Sequence, residues 1–343
     1  MGLYDTLFSL NTNHNNMMIT ALDKEESGQK LLVSDGACVW SPDRDCSLTR
    51  NRDQIIKEAV PGTFELHGHR YFADSLGSEK HIVICGGGHV SMPVISLGVM
   101  MDFKVTVIED RPQFAENARR QGATNVICDD FMKALSRIEG NEDTYFVIVT
   151  RGHRYDKECL EAILPKKNAY IGMIGSRRRV GIVKENLKEA GFSQDKLDAV
   201  YTPIGLKIGA ETPEEIGIAI MGEIIQVKNS RKRSGGLPQP LRRAIQGLTE
   251  AGEGSILATV IARKGSAPRE VGTKMLVKKD GSIVGTIGGG CVEGDVITRG
   301  RRMLMLADKE PKIITVDLTG SGLAEEDGMV CGGILDVLLE WVE

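Results

Sequence analysis

The sequence predicts an α/β protein in which a doubly wound parallel, Rossmann-like sheet is joined to a small α/β domain. Three observations carry this. Between residues 81 and 228 short β-rich runs alternate with helical patterns, the signature of a parallel sheet with crossover helices. A glycine turn, Cys85-Gly86-Gly-Gly88-His89-Val90-Ser91, follows the first of these runs and opens a helix. A polar, breaker-rich stretch at 229–240 then separates this region from a second set of strand and helix patterns.

The length of 343 residues suits two or three domains, each large enough to bury its own core. Forty glycines against 11 prolines point to many tight turns and close backbone approaches. With 43 basic and 47 acidic residues the formal charge is -4, which gives no general attraction to nucleic acid or to an anionic membrane. Neither is expected as a partner, and any anion site must be local. Seven cysteines, an odd number without a C-x-x-C pair, fit a reducing cytoplasm better than a secreted disulfide framework. The chain opens without a basic stretch and apolar run, and no window approaches 18 apolar residues, so neither secretion nor membrane spanning is expected.

Taken in order, residues 1–78 form a small segment with an echo further along the chain. Ile19-Thr-Ala-Leu22 followed by Lys30-Leu-Leu-Val-Ser-Asp-Gly36 runs in the same order as Leu257-Ala-Thr-Val260 followed by Lys274-Met-Leu-Val-Lys-Lys-Asp-Gly281. The glycine- and cysteine-rich stretches are missing from the first copy, which reads as degenerate. Coincidence between two β-hairpins is the alternative, since strand, Asp-Gly, strand patterns are common. Residues 80–228 hold β-runs at 81–85, 104–108, 125–128, 145–149 and 169–174, with a weaker one near Ala199, so five or six parallel strands are expected. Thr212, Pro213 and Glu215 together mark the start of the last helix there. After the 229–240 linker, residues 241–343 give a helix at 241–251, strands at 255–262, 274–278 and 283–287, a helix at 295–307, and strands at 313–316 and 334–341.

Several motifs carry candidate chemistry. Gly86 permits the tight turn and Gly88 lets the backbone approach a pyrophosphate, with the positive end of the helix beyond. His89 lies inside the turn, and Ser91 stands where a third glycine or alanine is usual. Glu109 and Asp110 end the next β-run, where a carboxylate accepts from ribose hydroxyls. The alternative is a Rossmann-like scaffold without a nucleotide. Gly175-Ser176-Arg177-Arg178-Arg179 follows another β-run. Cations at a helix start oppose the macrodipole, which a bound anion would offset; otherwise the side chains fan into water. The segment from Thr150 through His153 to Asp156 lies at the strand edge where open α/β sheets bind ligands, and His153 is either a ligand contact or a surface residue.

The densest region combines Arg269 and Lys274, the run Gly288-Gly289-Gly290-Cys291-Val-Glu293, and Cys331-Gly332-Gly333. Glycines there let amides converge on an anion, and a thiolate near amide dipoles and cations becomes a soft-metal ligand. Small buried thiols are the rival reading.

At these residues the chain resembles the xanthine dehydrogenase accessory protein family, the XdhC/CoxI-type molybdenum cofactor maturation factors. The segments GSAPREVGTKMLV, DGSIVGTIGGGCVEGDV and GMVCGG carry the resemblance in the last domain, and VICGGGHVSMPV, VIEDRP, YIGMIGSRRR and PIGLKIGAETPEEI carry it in the Rossmann part. The usual family order places the glycine- and cysteine-rich domain first, and here it comes last. A composite unit of residues 1–78 with 241–343 is therefore expected.

The resemblance implies a cofactor chaperone, more a carrier than a catalyst, that binds molybdenum cofactor as molybdopterin or its dinucleotide form. It would deliver the cofactor to a molybdenum hydroxylase such as xanthine dehydrogenase, with a cysteine desulfurase as a further partner. Cys291 and Cys331 become candidates for contact with the metal or its sulfur. Arg269, Lys274, Glu293, Gly332 and the amides of Gly288, Gly289 and Gly290 become candidates on the pterin phosphate side. The Gly86 to Ser91 turn, with Glu109, Asp110, Ser176 and Arg177, would hold the nucleotide half or a separate nucleotide. An NAD(P)-dependent oxidoreductase and a cofactor-free scaffold for the target enzyme stay open beside this. A homodimer is expected because two-fold dimers are the commonest assembly.

Overall fold

The computed structural model describes residues 2–343 other than 12, 78, 231–235, 252–253, 266–268 and 318–332, and the side chains of residues 153, 177, 249–251 and 291 are left aside. Among the described residues the chain forms three five-stranded sheets. It divides into two compact units, one made of Met1–Gly77 with Arg233–Glu343 and the other of Ser78–Lys232.

In the N-terminal segment α1 (Leu3–Ser9) precedes β1 (Asn16–Ala21), β2 (Lys30–Ser34) and β3 (Ala37–Trp40); α2 (Ser47–Arg50) and α3 (Arg52–Glu58) follow, then β4 (Gly62–Leu66) and β5 (His69–Ser75). The strands form an antiparallel sheet in the order β3-β2-β1-β5-β4. Asp35-Gly36 and His67-Gly68 close its hairpins with both residues at positive φ, as a two-residue type I′ turn requires. Leu31, Leu32 and Val33 are all buried because both faces of β2 are covered. Ile19, Leu31 and Ala73 pack with Leu48 and Ile55 of the short helices, while Met18 and Leu32 pack with Leu7 of α1.

The second unit runs β6 (His81–Cys85), α4 (Ser91–Met100), β7 (Lys104–Ile108), α5 (Pro112–Arg120), β8 (Asn125–Ile127), α6 (Phe131–Leu135), β9 (Thr144–Ile148), α7 (His153–Ile163), β10 (Tyr170–Met173), α8 (Arg177–Glu189), α9 (Gln194–Asp198) and α10 (Pro213–Ser230). Its sheet is parallel in the order β10-β9-β6-β7-β8. The strand order reverses between β6 and β9, which makes the carboxyl ends of these two strands the switch point where ligands of such sheets bind. Ile82, Ile84, Val105 and Val107 face α4, α5 and α10, and Val83, Cys85, Phe146 and Ile148 face α6, α7 and α8. Burial on both faces explains the unbroken apolar runs. The weaker sixth run contributes a single parallel bridge, Gly172 to Tyr201, and no full strand.

The C-terminal segment runs α11 (Gln239–Ala251), β11 (Ser255–Gly265), β12 (Lys274–Val277), β13 (Ile283–Gly285), α12 (Gly290–Leu306), β14 (Lys312–Asp317) and β15 (Gly333–Val342). Its antiparallel order, β13-β12-β11-β15-β14, matches that of β1 to β5 strand for strand. Ile256, Ala258 and Val260 pack against Val292, Val296 and Met303 of α12, and Leu257 and Leu276 pack against Leu241, Ile245 and Leu248 of α11. The segment is thus a mainly antiparallel sheet between helices. The two sheets of this unit meet through Leu22, Phe72, Ile261 and Leu338 and through a 2.8 Å hydrogen bond from Thr63 Oγ1 to the Ile261 carbonyl.

Candidate functional site

The glycine turn after β6 is shaped by close backbone contact. Gly86 has φ 112°, and a Cβ there would lie 2.5 Å from the Val149 carbonyl oxygen at the end of β9. A Cβ on Gly88 would meet nothing within 4 Å, so Gly88 is the position where main chain is open to a close-lying guest. Ser91 is fully buried and its hydroxyl donates to the Gly86 carbonyl at 2.7 Å and the Gly88 carbonyl at 2.9 Å. It braces the turn from inside; the third-glycine position here is a hydrogen-bonding one. His89 is exposed beside it.

Glu109 departs from expectation. Its side chain is 1% exposed, and its carboxylate accepts from the Gly87 amide at 2.7 Å, from Arg111 Nε at 2.8 Å and from Arg111 Nη2 at 3.1 Å. A carboxylate so occupied is engaged within the turn, because Arg111 and the Gly87 amide outcompete water for it. Asp110 pairs bidentately with Arg151, through Nη2 to Oδ2 at 2.7 Å and through Nη1 to Oδ1. Hydrogen bonding from Arg151 is the main reason its carboxyl is held down to about 2. Both guanidinium groups stack on rings, Arg111 at 3.6 Å from Phe114 and Arg151 at 4.4 Å from Tyr155.

On the far side of the switch point Ser176 caps α8, its hydroxyl accepting from the Arg179 amide at 3.4 Å. Arg179 pairs with buried Asp156, which also takes the Thr150 hydroxyl. Arg179 Nε is buried without a hydrogen-bond partner, an unmet donor near the helix start where an anion is favoured. Of the two arginines of the predicted triplet whose side chains are described, Arg179 turns inward and Arg178 is exposed. The side chains of Arg177 and His153 lie outside the described residues.

In the other unit Gly288, Gly289 and Gly290 have φ of 135°, 78° and 60° and lead into α12. The turn collects donors on the chain's own Glu293, while the Gly288 amide donates to the Thr286 hydroxyl at 3.2 Å. Glu293 Oε1 accepts from Gly289 N at 2.9 Å, from Ile287 N at 3.2 Å and from the Thr286 hydroxyl. Burial works against this carboxylate, but the Thr286 hydroxyl and the Gly289, Ile287 and Gly288 amides together hold its pKa below the ordinary 4.5. Glu293 is therefore a member of the nest wall, not a group facing a phosphate. Cys291 is the second residue of α12; its side chain, and Cys331 and Gly332 altogether, lie outside the described residues.

Lys274 also departs from expectation. Its side chain is 1% exposed and its ammonium forms an ion pair with Asp74 Oδ2 at 2.6 Å and donates a hydrogen bond to the Gly272 carbonyl at 2.9 Å. A buried ammonium needs such a partner, so Lys274 is committed within the fold and does not present its charge to a pterin phosphate. Arg269 is exposed.

Sequence reasoning passed over Asp74, Arg111 and Thr286. Asp74 had no local signal, because its partner is in a distant segment. Thr286 and Glu293 had one, a hydroxyl and an acid flanking a glycine run. A cavity of about 190 Å³ lined by Tyr4, Lys30, Glu340 and both tryptophans, Trp40 and Trp341, was likewise unmarked. Among the described residues no helix is long and apolar enough to cross a membrane.

Comparison with known proteins matches both parts of the chain. Residues 82–224 match the XdhC Rossmann domain and residues 248–317 match the XdhC and CoxI family. The uncharacterized protein YqeB of Escherichia coli is 28% identical over 223 residues, covering 60% of this chain and 41% of YqeB. A Bacillus subtilis protein described as a probable xanthine dehydrogenase component is 26% identical over 157 residues, 46% of each chain. The molybdenum cofactor insertion chaperone PaoD of Escherichia coli is 42% identical over 53 residues, 16% of each. The chain thus spans less than half the length of the curated relatives it matches. A solved structure described as a xanthine dehydrogenase from Bacillus halodurans shares the fold, with a TM-score of 0.52, 22% identity and coverage of 67% of this chain and 64% of that one.

Proposed function

From the premise that the chain belongs to the XdhC and CoxI family, we propose that it is an accessory factor for a molybdenum hydroxylase, binding molybdenum cofactor and delivering it to that enzyme. The observation that carries the reading is the glycine turn before α12. There main-chain amides converge on one carboxylate oxygen, and the same turn sets Cys291 in the first helical turn. A turn that collects amide donors on its own acid has the stereochemistry an anionic ligand needs.

Three features, taken unit by unit, support this reading. Gly88 leaves main chain open at the switch point, Arg179 Nε is a buried donor still without a partner, and a thiolate at Cys291 or Cys331 is the soft donor that molybdenum or its sulfur accepts. On this reading Cys291 and Cys331 hold the metal end and Arg269 with the Gly288 to Gly290 turn lies on the phosphate side. In the Rossmann unit the Gly86 to Ser91 turn, with Asp110 and Ser176, takes a nucleotide. When bound, the cofactor brings the redox chemistry of the target hydroxylase. The chain's own part is to orient it, exclude water and release it, while a cysteine desulfurase supplies sulfur. An NAD(P)-dependent oxidoreductase is the weaker reading, since the Glu109 carboxylate is already occupied by Arg111.

The test is metal and pterin analysis of protein purified without oxygen from a cofactor-producing host. Wild-type protein should carry both, and Cys291→Ala or Cys331→Ala should lower both. Wild-type protein free of pterin under those conditions would overturn the proposal.

A further inference from the structure

The first unit is built twice from the same parts, and the two copies exchange charges. On β2 Lys30 lies opposite Thr20 of β1, and on β12 Lys274 lies opposite Thr259 of β11. Asp74 of β5 lies opposite Met18, and Glu340 of β15 lies opposite Leu257. Met18 and Leu257 are themselves equivalent, since they oppose Leu32 and Leu276 two places along from the lysines. The lysine and the acid thus occupy matching register positions in the two sheets.

Each lysine, however, pairs with the acid of the other copy. Lys30 Nζ lies 2.6 Å from Glu340 Oε1 and Lys274 Nζ lies 2.6 Å from Asp74 Oδ2, with all four side chains at most 8% exposed. Reciprocal pairing, in which position i meets j and j meets i, is what a two-fold axis between identical protomers produces. Removing one member of either pair would strand a buried charge. The lysines differ in one respect. Lys30 gives its second bond to Thr20 Oγ1 at 2.9 Å, within its own sheet. Lys274 gives it to the Gly272 carbonyl, at the end of the loop that carries Arg269. Gly272 has φ 88°, its amide donates to the Val260 carbonyl at 2.7 Å, and Val260 N donates to the Thr273 carbonyl at 2.9 Å.

We infer that the N-terminal segment is a resident second copy of the glycine-rich domain that fills its two-fold partner surface, and that Asp74 is a positioning residue holding the Arg269 to Lys274 loop through Lys274. The copy that lost its glycine and cysteine stretches keeps a task, which is to supply the acid its partner needs. The link from loop to cofactor rests on the function proposed above; the architecture does not.

Pseudo-symmetry provides the control. Asp74→Asn and Glu340→Gln each remove one negative charge from equivalent buried pairs, and both are compared with wild type in the full chain. Hydrogen exchange at the Gly272 amide should rise about tenfold or more in Asp74→Asn and stay at the wild-type rate in Glu340→Gln, although both lower the melting temperature. Asp74→Glu, which carries the acid used at position 340, should restore slow exchange. Pterin retained after anaerobic purification should fall in Asp74→Asn only. Should Asp74→Asn fail to fold, Asp74→Leu/Lys274→Met removes both charges together, which buried pairs tolerate better, and must still speed exchange at Gly272. Equal exchange at Gly272 in Asp74→Asn and Glu340→Gln, or no change in Asp74→Asn, would overturn the inference. Wild-type protein without pterin would instead remove the function, and the exchange data would still decide the role of Asp74.

Discussion

Glu109 Oε2 accepts the Gly87 amide hydrogen at 2.7 Å, so the end of one strand holds the turn that follows its neighbour. The glycine turn after β6 is stiffened by a residue that the sequence offers as a candidate ribose ligand. Glu109→Ala leaves the Gly87 amide and the Arg111 guanidinium without their partner, and it should destabilise the Rossmann unit by about 1–3 kcal/mol. Chemical denaturation followed by a probe in that unit measures this, and a loss below about 0.5 kcal/mol would mean that water replaces the carboxylate freely.

Gly86 and Gly88 should separate stability from binding. Gly86→Ala places a methyl 2.5 Å from the Val149 carbonyl at a φ of 112°, and a cost of about 2–4 kcal/mol is expected from the clash and the strained backbone. Gly88→Ala meets open space and should leave stability within about 0.5 kcal/mol. On the proposed function its methyl blocks the close approach of a phosphate, so nucleotide or pterin binding to that unit should fall sharply. Paired melting and binding measurements on the two variants check this directly.

His81 should make the Rossmann unit acid-sensitive. Burial, and secondarily the Lys104 ammonium, push its imidazole from the ordinary 6.5 down to about 4, while its Nε2 lies 2.8 Å from Thr106 Oγ1. Between those values the unfolded chain binds a proton that the folded one refuses. The stability from neutral His81 is therefore complete above pH 6.5 and is lost as pH falls toward 4. Unfolding midpoints across that window should slope downward in wild type and less steeply in His81→Gln.

Glu293 acts lower on the scale. Its folded pKa lies below 4.5, so its contribution is present above pH 4.5 and disappears as pH falls through the folded value. At neutral pH Glu293→Ala strips the Gly289 and Ile287 amides of their acceptor and should cost about 1–3 kcal/mol. The acid limb of stability should be flatter in Glu293→Gln, which cannot titrate. Identical limbs in the two proteins would show that the nest draws nothing from the charge.

What the sequence made legible was local. The capping box is one case: Thr212 Oγ1 accepts from the Glu215 amide at 3.3 Å and Glu215 Oε2 from the Thr212 amide at 3.2 Å, a geometry written in four adjacent residues. The strands of the Rossmann sheet were readable because burial on both faces leaves continuous apolar runs. The start of α12 was misplaced, expected at Asp295 and found at Gly290. Glycines weaken helix propensity, and here the positive-φ turn feeds the helix directly. The His67-Gly68 hairpin was missed because β4 exposes alternate residues and carries little apolar signal. The least legible features were the partners of Lys274 and Lys30. Ion pairs between distant segments leave no spacing pattern, and a charge in a motif looks free until its counter-charge is placed.

The most direct test of the carrier account is transfer. Chain loaded with cofactor under anaerobic conditions is mixed with a cofactor-free molybdenum hydroxylase, and hydroxylase activity is followed against the amount of loaded chain added. The account predicts activity that rises with loaded chain, outpaces the same quantity of free cofactor, and fails with Cys291→Ala or Cys331→Ala. Loaded chain that activates the hydroxylase no better than free cofactor would contradict it.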